Sequence, residues 1–364
     1  MREHKDAVYI GRFQPFHRGH LAVVEKGLEL AERVTIVVGS ASAAPNIRNP
    51  WTFEEREQMI RGALTVKERA AEAATLASRL RIVPLRDYFY NENAWIADVQ
   101  AKTARLGVEE GSLLLGNFKD ASSYYLKSFP QWTLTPVKAP MLDATDIREV
   151  LFDRRDVVPN FEGKSTTRPD IAGIANLVPR VVYNQISEWT GTTTYCSLVQ
   201  EYKFVKGYKE SWSSAPYPPT FVTVDAIVVC SGHVLVIRRG MHPGKGLLAL
   251  PGGYIGAGEK IRDSMLRELR EETKIRVNPL ILDSAVVDEH VFDHPLRSQR
   301  GRTITHGFYI RLRDGDLPEV RGADDAKEAF WMPLMDVAQN EASFFEDHAH
   351  IIQYFTNVGA QGAR

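Results

Sequence analysis

Two short stretches of this chain carry residue types whose spacing suits phosphate chemistry. The first is Tyr9-Ile10-Gly11-Arg12-Phe13-Gln14-Pro15-Phe16-His17-Arg18-Gly19-His20, which leads from an apolar run into an amphipathic one. A strand-to-helix turn presents backbone N–H groups and the positive end of the helix dipole, a ready anion site. His17 and His20, three apart, can both face that anion. Gly19 lets the backbone come close, and Pro15 stiffens the turn. The second stretch is Leu250-Pro251-Gly252-Gly253, then Glu259, then Arg267-Glu268-Leu269-Arg270-Glu271-Glu272-Thr273. The glycines end a strand in a loop that a ligand can approach, and Asp263 to Thr273 has helical character. Glu268, Glu271 and Glu272 fall at i, i+3 and i+4, which puts three carboxylates on one helical face. Like charges so placed repel, and a hard cation such as Mg²⁺ relieves them. Glu259 can close over the same ion, and Arg267 can orient Glu271. A solvated, salt-bridged helix shares the Arg-Glu-Leu-Arg-Glu-Glu run, but not the preceding glycine loop with Glu259 at fixed spacing.

The second stretch resembles the Nudix box, G-x5-E-x7-R-E-U-x-E-E-x-G-U. Every position matches except the last glycine, which is Lys274 here; the departure touches the end of the helix rather than the carboxylates. The resemblance covers roughly residues 216–350. It implies hydrolysis of a nucleoside diphosphate derivative with Mg²⁺ (or Mn²⁺) held by Glu259, Glu268, Glu271 and Glu272. The last three are also the candidate catalytic groups, with the general base left open. Substrate choice lies outside the box. Arg238, Arg239 and Arg302, with Gly252 and Gly253, are the candidate contacts, and the segment from Asp293 to His306 resembles that of Nudix ADP-ribose pyrophosphatases. His290, His294 and His306 read as loop or pocket residues, because the chemistry calls for oxygen ligands.

The first stretch is similar to the H-x-G-H signature of the nucleotidyltransferase superfamily. Its longer Gly-Arg-Phe-Gln-Pro-Phe-His form looks like nicotinamide-mononucleotide (NMN) adenylyltransferases of the archaeal type. This implies catalysis without a covalent intermediate: the protein aligns the substrates and stabilises charge at the α-phosphate of ATP. His17, His20 and Arg148 are then the catalytic candidates. Gly11, Arg12, Phe13, Gln14 and Gly19 line the turn. Asp143-Ala144-Thr145-Asp146-Ile147-Arg148 resembles the family's Ser-x-Thr-x-x-Arg motif, so Thr145 and Arg148 are expected on the ATP phosphates. Asp143 replaces the serine, and beside a triphosphate it must face away or cap the helix. Three further stretches, Asn49–Arg56, Tyr88–Trp95 and Lys119–Tyr124, resemble bacterial two-domain members of this family. Within them Arg56 and Asn91 are expected at the substrate, and Trp95 is the candidate to stack on a nicotinamide ring.

These motifs need elements to hold them. The chain has 364 residues, 44% hydrophobic and 25% charged, which suits two domains, each with its own core. Ala7–Ile10, Val34–Val38, Leu80–Leu85 and Leu113–Leu115 read as strands. Helix-like stretches over His20–Glu32, Phe53–Ala63 and Ala94–Leu106 alternate with them, predicting a doubly wound parallel (Rossmann-like) α/β sheet. From Gly191 the rhythm changes. Phe221–Val229 and Val234–Ile237, joined by Ser231-Gly232, predict a hairpin in an α+β Nudix domain with a mixed sheet. The expected division is a nucleotidyltransferase domain over 1–190, a linker over 191–215 and a Nudix hydrolase domain over 216–364.

A net charge of −1 advertises neither nucleic acid nor an anionic membrane. The two cysteines, Cys196 and Cys230, make neither a disulfide framework nor a zinc motif. No signal peptide or run of about 18 apolar residues is read, so a cytoplasmic location is expected. A homo-oligomer is compatible with all of this. The combined expectation is a bifunctional enzyme of NAD metabolism. One half would join ATP and NMN into NAD and pyrophosphate, and the other would hydrolyse a diphosphate, with ADP-ribose the first choice. The rivals are transfer to another phosphorylated acceptor, and a Nudix domain that senses ADP-ribose without cleaving it.

Overall fold

The computed structural model describes residues 2–65, 75–76, 78–116, 126–154, 157, 163 and 169–357. The Lys119–Tyr124 stretch lies outside them. The chain divides into two compact units. The first holds Met1–Asp87 and Asn91–Tyr202, and the second holds Tyr88–Tyr90 and Lys203–Arg364.

In the first unit five strands, β1 (His4–Gly11), β2 (Ala31–Val38), β3 (Leu80–Pro84), β4 (Leu113–Gly116) and β5 (Thr133–Pro136), form one sheet in the order β3-β2-β1-β4-β5. Every pairing is parallel. Successive residues explain why. Ala7, Ile36 and Leu115 pack into one apolar cluster, whereas Val8, Val37 and Leu114 pack into another. Strands apolar on both faces are covered on both faces, as a doubly wound sheet requires. Strand order reverses between β1 and β4. The crevice beyond the carboxyl end of β1 is therefore the topological switch point, where such sheets bind ligands.

The segment read as a linker holds a helix over Thr193–Ser211. Its apolar residues recur at helical spacing, and Tyr195, Leu198 and Val199 are buried in the first unit's core. The boundary between units falls inside this helix, after Tyr202. Packing thus turns the Thr-rich start, which looks like a loop, into a helix.

The second unit is built on β6 (Thr220–Cys230), β7 (His233–Arg239), β8 (Leu248–Ala249), β9 (Gly252–Tyr254), β10 (Val286–Phe292), β11 (Arg302–Arg311) and β12 (Ala326–Pro333). The main order is β10-β11-β6-β7-β12, with β8 on β7 and β9 on β6. The β6–β11 pair is parallel and the others antiparallel, so the sheet is mixed. Ser231 and Gly232, at φ 45° and 74°, make the tight turn of the β6–β7 hairpin. Here too the two faces have separate cores: Ile227 and Val236 pack on one side, Val224 and Leu235 on the other.

Candidate active sites

The helix Arg18–Leu30 starts directly after the turn that ends β1, with His17 as its N-cap. The two histidines cap each other's backbone. His20 N–H donates to His17 Nδ1 at 3.2 Å, and His17 N–H donates to His20 Nδ1 at 3.3 Å. Their rings stack 3.5 Å apart, 15° from parallel. An accepting Nδ1 places the ring proton of each neutral imidazole on Nε2. Both histidines are therefore fixed as Nε2–H donors. No acidic residue occupies the first turn. A Cβ on Gly19 would lie 2.7 Å from the Pro140 carbonyl oxygen, so only glycine fits there.

Other residues expected at this site divide in two. Arg148 donates to the Gln14 carbonyl at 2.6 Å and to Thr145 Oγ1 at 3.1 Å, which brings the second motif onto the first. Burial, and then the nearby charges of Arg12 and Arg48, lower Arg148 to about 10. Asp143 caps its helix by accepting the Thr145 N–H at 2.8 Å, which deals with the departure from serine. Phe13, at φ 54° and 2% exposed, packs edge-on against His20 at 4.9 Å just beyond Gly11. A left-handed phenylalanine is backbone strain of the kind found at functional turns.

Arg56, expected at a substrate phosphate, is engaged by backbone carbonyls in the structure. It is fully buried, and its guanidinium donates to the carbonyls of Thr52 (3.0 Å), Arg12 (2.7 Å), Gly39 (2.7 Å) and Ser40 (3.1 Å). It ties the ends of β1 and β2 to the helix Phe53–Leu64. Burial lowers it to about 10. The Gln14 side chain is similarly engaged, donating to Trp51 O at 2.8 Å and accepting Trp51 N–H at 3.1 Å. Asn91 caps the helix Glu92–Arg105 through the Ala94 N–H, and Trp95 on that helix packs against Phe129 at 5.8 Å.

In the second unit, β9 pairs with β6 and sets Gly252 and Gly253 against the helix Ile261–Thr273. A Cβ on Gly253 would lie 2.7 Å from the Glu268 carboxyl, so the glycine is the space that carboxylate occupies. Glu272 is 5% exposed and accepts the Gly252 N–H at 2.9 Å. Burial first, and then the Glu268 charge, push Glu272 up to about 8 against that hydrogen bond. Burial also raises Glu268, with Arg267 opposing.

Arg267 is the hub. It donates to Glu259 at 2.7 and 3.0 Å, to Glu268 at 2.8 Å and to Glu271 at 2.9 Å. It thus orients Glu271, as the spacing predicts. Glu259 also accepts from the Ser264 hydroxyl at 2.6 Å and the Gly256 N–H at 3.1 Å, and Arg267 foremost holds it down at about 2. Among the described residues no group of three carboxylate, imidazole or thiolate side chains stands arranged around a common metal position. The guanidinium is the counter-charge between Glu259, Glu268 and Glu271. Lys274, where the box has glycine, takes the left-handed C-cap conformation itself, at φ 44°.

The candidate substrate contacts of this unit are mostly paired. Arg238 bonds Glu328 at 2.9 Å, and Arg302 bonds the Asp293 carbonyl. Arg239 lies 4.3 Å over the Phe345 ring and bonds Pro243 O at 2.9 Å; its charge also acts on Glu272. Arg300, within the Asp293–His306 segment singled out in the sequence, stacks over Tyr254 at 5.3 Å, and its charge lowers the pKa of Arg239. Arg239 and Arg300 are thus neighbouring guanidiniums, and the charge of Arg239 reaches Glu272, which makes an anion-friendly edge.

The NUDIX domain model matches residues 219–355, and the cytidylyltransferase-like model matches residues 8–149. Among solved structures, a bifunctional NMN adenylyltransferase/ADP ribose pyrophosphatase from Francisella tularensis, complexed with AMP and a Mn ion, is 35% identical. It superposes with a TM-score of 0.83 over 97% of this chain and 99% of that one. The nicotinamide/nicotinic acid mononucleotide adenylyltransferase of Acinetobacter baylyi is 36% identical over 157 residues, 42% of this chain and 79% of that protein. The ADP-ribose pyrophosphatase of Methanocaldococcus jannaschii is 34% identical over 134 residues, 36% of this chain and 70% of that protein.

Proposed function

Since the chain belongs to the family of bifunctional NMN adenylyltransferase/ADP-ribose pyrophosphatases, we propose which residues of each site carry its two reactions. It transfers the adenylyl group of ATP to NMN, giving NAD and pyrophosphate, and it hydrolyses the diphosphate of ADP-ribose.

In the first reaction an NMN phosphate oxygen attacks the α-phosphorus of ATP, and the bond to the pyrophosphate leaving group breaks. The observation that carries the assignment is the pair of histidines locked as Nε2–H donors at an acid-free helix start. Together with the backbone N–H groups of that turn, Arg12, Thr145 and Arg148, they meet the charge that grows on the phosphoryl oxygens. Gln14, Arg56 and Asn91 hold the crevice in shape, and Trp95 keeps its assignment to the nicotinamide side.

In the second reaction Glu268, Glu271 and Glu272 would hold a divalent cation, Mg²⁺ or Mn²⁺. The donor set fits one: these are hard oxygen ligands within two turns of helix, and burial raises Glu268 and Glu272, which then ionise readily only beside added positive charge. Such a cation, when bound, neutralises the diphosphate and acidifies a water. Glu259 holds Arg267 and the loop before the helix. Arg239 and Arg300 supply charge on the diphosphate side.

No described helix is long and apolar enough to cross a membrane, and both cysteines are buried thiols outside any disulfide, which supports a cytoplasmic setting. Nucleic acid has no part in this reading. The test uses the full chain, with NAD formation from ATP and NMN and AMP release from ADP-ribose measured on one preparation. His20→Ala is expected to abolish the first alone, and Glu272→Gln the second alone. Wild-type protein that leaves ADP-ribose intact with Mg²⁺ and with Mn²⁺ would refute the hydrolase assignment.

A further inference from the structure

The second unit contains a string of buried and half-buried polar groups that neither reaction uses directly. It begins at Tyr90, one of three residues from the first half of the sequence that belong to this unit. The Tyr90 ring packs edge-on against Phe292 at 4.9 Å, and its hydroxyl donates to Asp347 Oδ2. Asp347 is fully buried and also receives Arg297 Nε at 2.9 Å and Nη2 at 3.0 Å. The same Nη2 lies 3.8 Å from Asp225 Oδ2, which accepts the Thr305 hydroxyl at 2.6 Å.

Asp225 sits under the hydrolase loop. Its Oδ1 would be 2.7 Å from a Cβ on Gly252, and it lies 3.9 Å from His348 Nδ1. That nitrogen accepts the Leu250 N–H at 2.9 Å. Ala226, the next residue of β6, donates to Pro251 O at 2.8 Å. The string therefore ends on the backbone of Leu250–Gly252, whose last N–H points at Glu272. Two buried carboxylates share one guanidinium, so the hydroxyl donors at either end decide how Arg297 divides itself between them.

We propose that Tyr90 is a positioning residue of the hydrolase site: through Asp347, Arg297 and Asp225 it fixes the Leu250–Gly252 backbone that presents its N–H to Glu272. Without the Tyr90 hydroxyl, Arg297 is drawn toward Asp347 and away from Asp225, and the loop resting on Asp225 loses its fixed aim. This rests on the hydrolase reading. It adds that the site depends on a tripeptide from the far side of the sequence.

The test is Tyr90→Phe in the full chain, which keeps the ring on Phe292. Loss of an outer partner of this kind lowers kcat for ADP-ribose hydrolysis roughly tenfold, with KM changed less than about twofold and NAD formation unchanged. In metal-free protein, amide exchange of Leu250 and Gly252 is expected to quicken while that of the β1–β2 amides holds. Unchanged kcat, or a rise in KM at constant kcat, would overturn the proposal. So would wild-type exchange at Leu250 and Gly252, an arm that decides even in a protein without hydrolase activity.

Discussion

Replacing Arg56 with lysine separates a structural clamp from a substrate contact. The Arg56 fork spans carbonyls on three segments: Arg12 after β1, Gly39 and Ser40 after β2, and Thr52 at the start of the next helix. Lysine keeps the charge but gathers its three donors on one nitrogen and cannot reach all four. Each buried carbonyl left without a partner costs about 1–3 kcal/mol, so stranding two of them costs about 4 kcal/mol. That lowers the melting temperature of the first unit by roughly 10 °C. Scanning calorimetry of the full chain reads the shift, and steady-state NAD formation is measured well below it. The expected outcome is a large loss of stability and a lower kcat, because the Gly11–Phe13 turn shifts, with KM for ATP and NMN near wild type. Unchanged stability with a sharply raised KM would refute the clamp and return Arg56 to the substrate phosphates.

Two further outcomes follow from the second unit. Glu272 is raised in the folded protein to about 8 from an ordinary 4.5. Its contribution to the stability of metal-free protein is thus fully present below about pH 4.5 and lost as pH rises through 8. Metal binding near pH 7 must then release close to one proton, readable by titration calorimetry in buffers of different ionisation enthalpy; Glu272→Gln should erase that release, and its persistence would count against the assignment. Lys274→Gly removes a left-handed, exposed lysine from the helix C-cap and is expected to stabilise by about 1 kcal/mol, raising the second unit's transition by roughly 2–4 °C with activity unchanged. A fall in melting temperature would show that the lysine side chain compensates for its backbone.

What could be read from the sequence was whatever chemistry lies within one turn of chain. The His17–His20 spacing and the Arg267–Glu271 pair are local, so residue types and intervals carry them. Arg56 could not be read this way. A charged residue on a helix rich in glutamate looks solvated, and only the meeting of two strand ends makes it the buried donor for their carbonyls. The Thr193–Ser211 helix was hidden for a related reason, since a Gly-Thr-Thr-Thr start signals a loop unless Tyr195, Leu198 and Val199 have a core to enter. Asp225 lies on a strand, Arg297 in a loop, and Asp347 and His348 at the start of the last helix, and no interval in the sequence links them to the glycine loop they support.

The hydroxyl of Tyr90 and the carboxylate of Asp347 are 257 residues apart in the chain. During synthesis the tyrosine leaves the ribosome early and must wait, with Phe89 beside it, until the segment carrying Asp347 emerges. The first sheet needs only neighbours already made, so it can close while translation continues. The hydrolase core is finished last, and a chain cut short before Asp347 has an apolar pair left over at positions 89 and 90. Truncated products of this protein are therefore expected to be sticky at a place far from where they were cut.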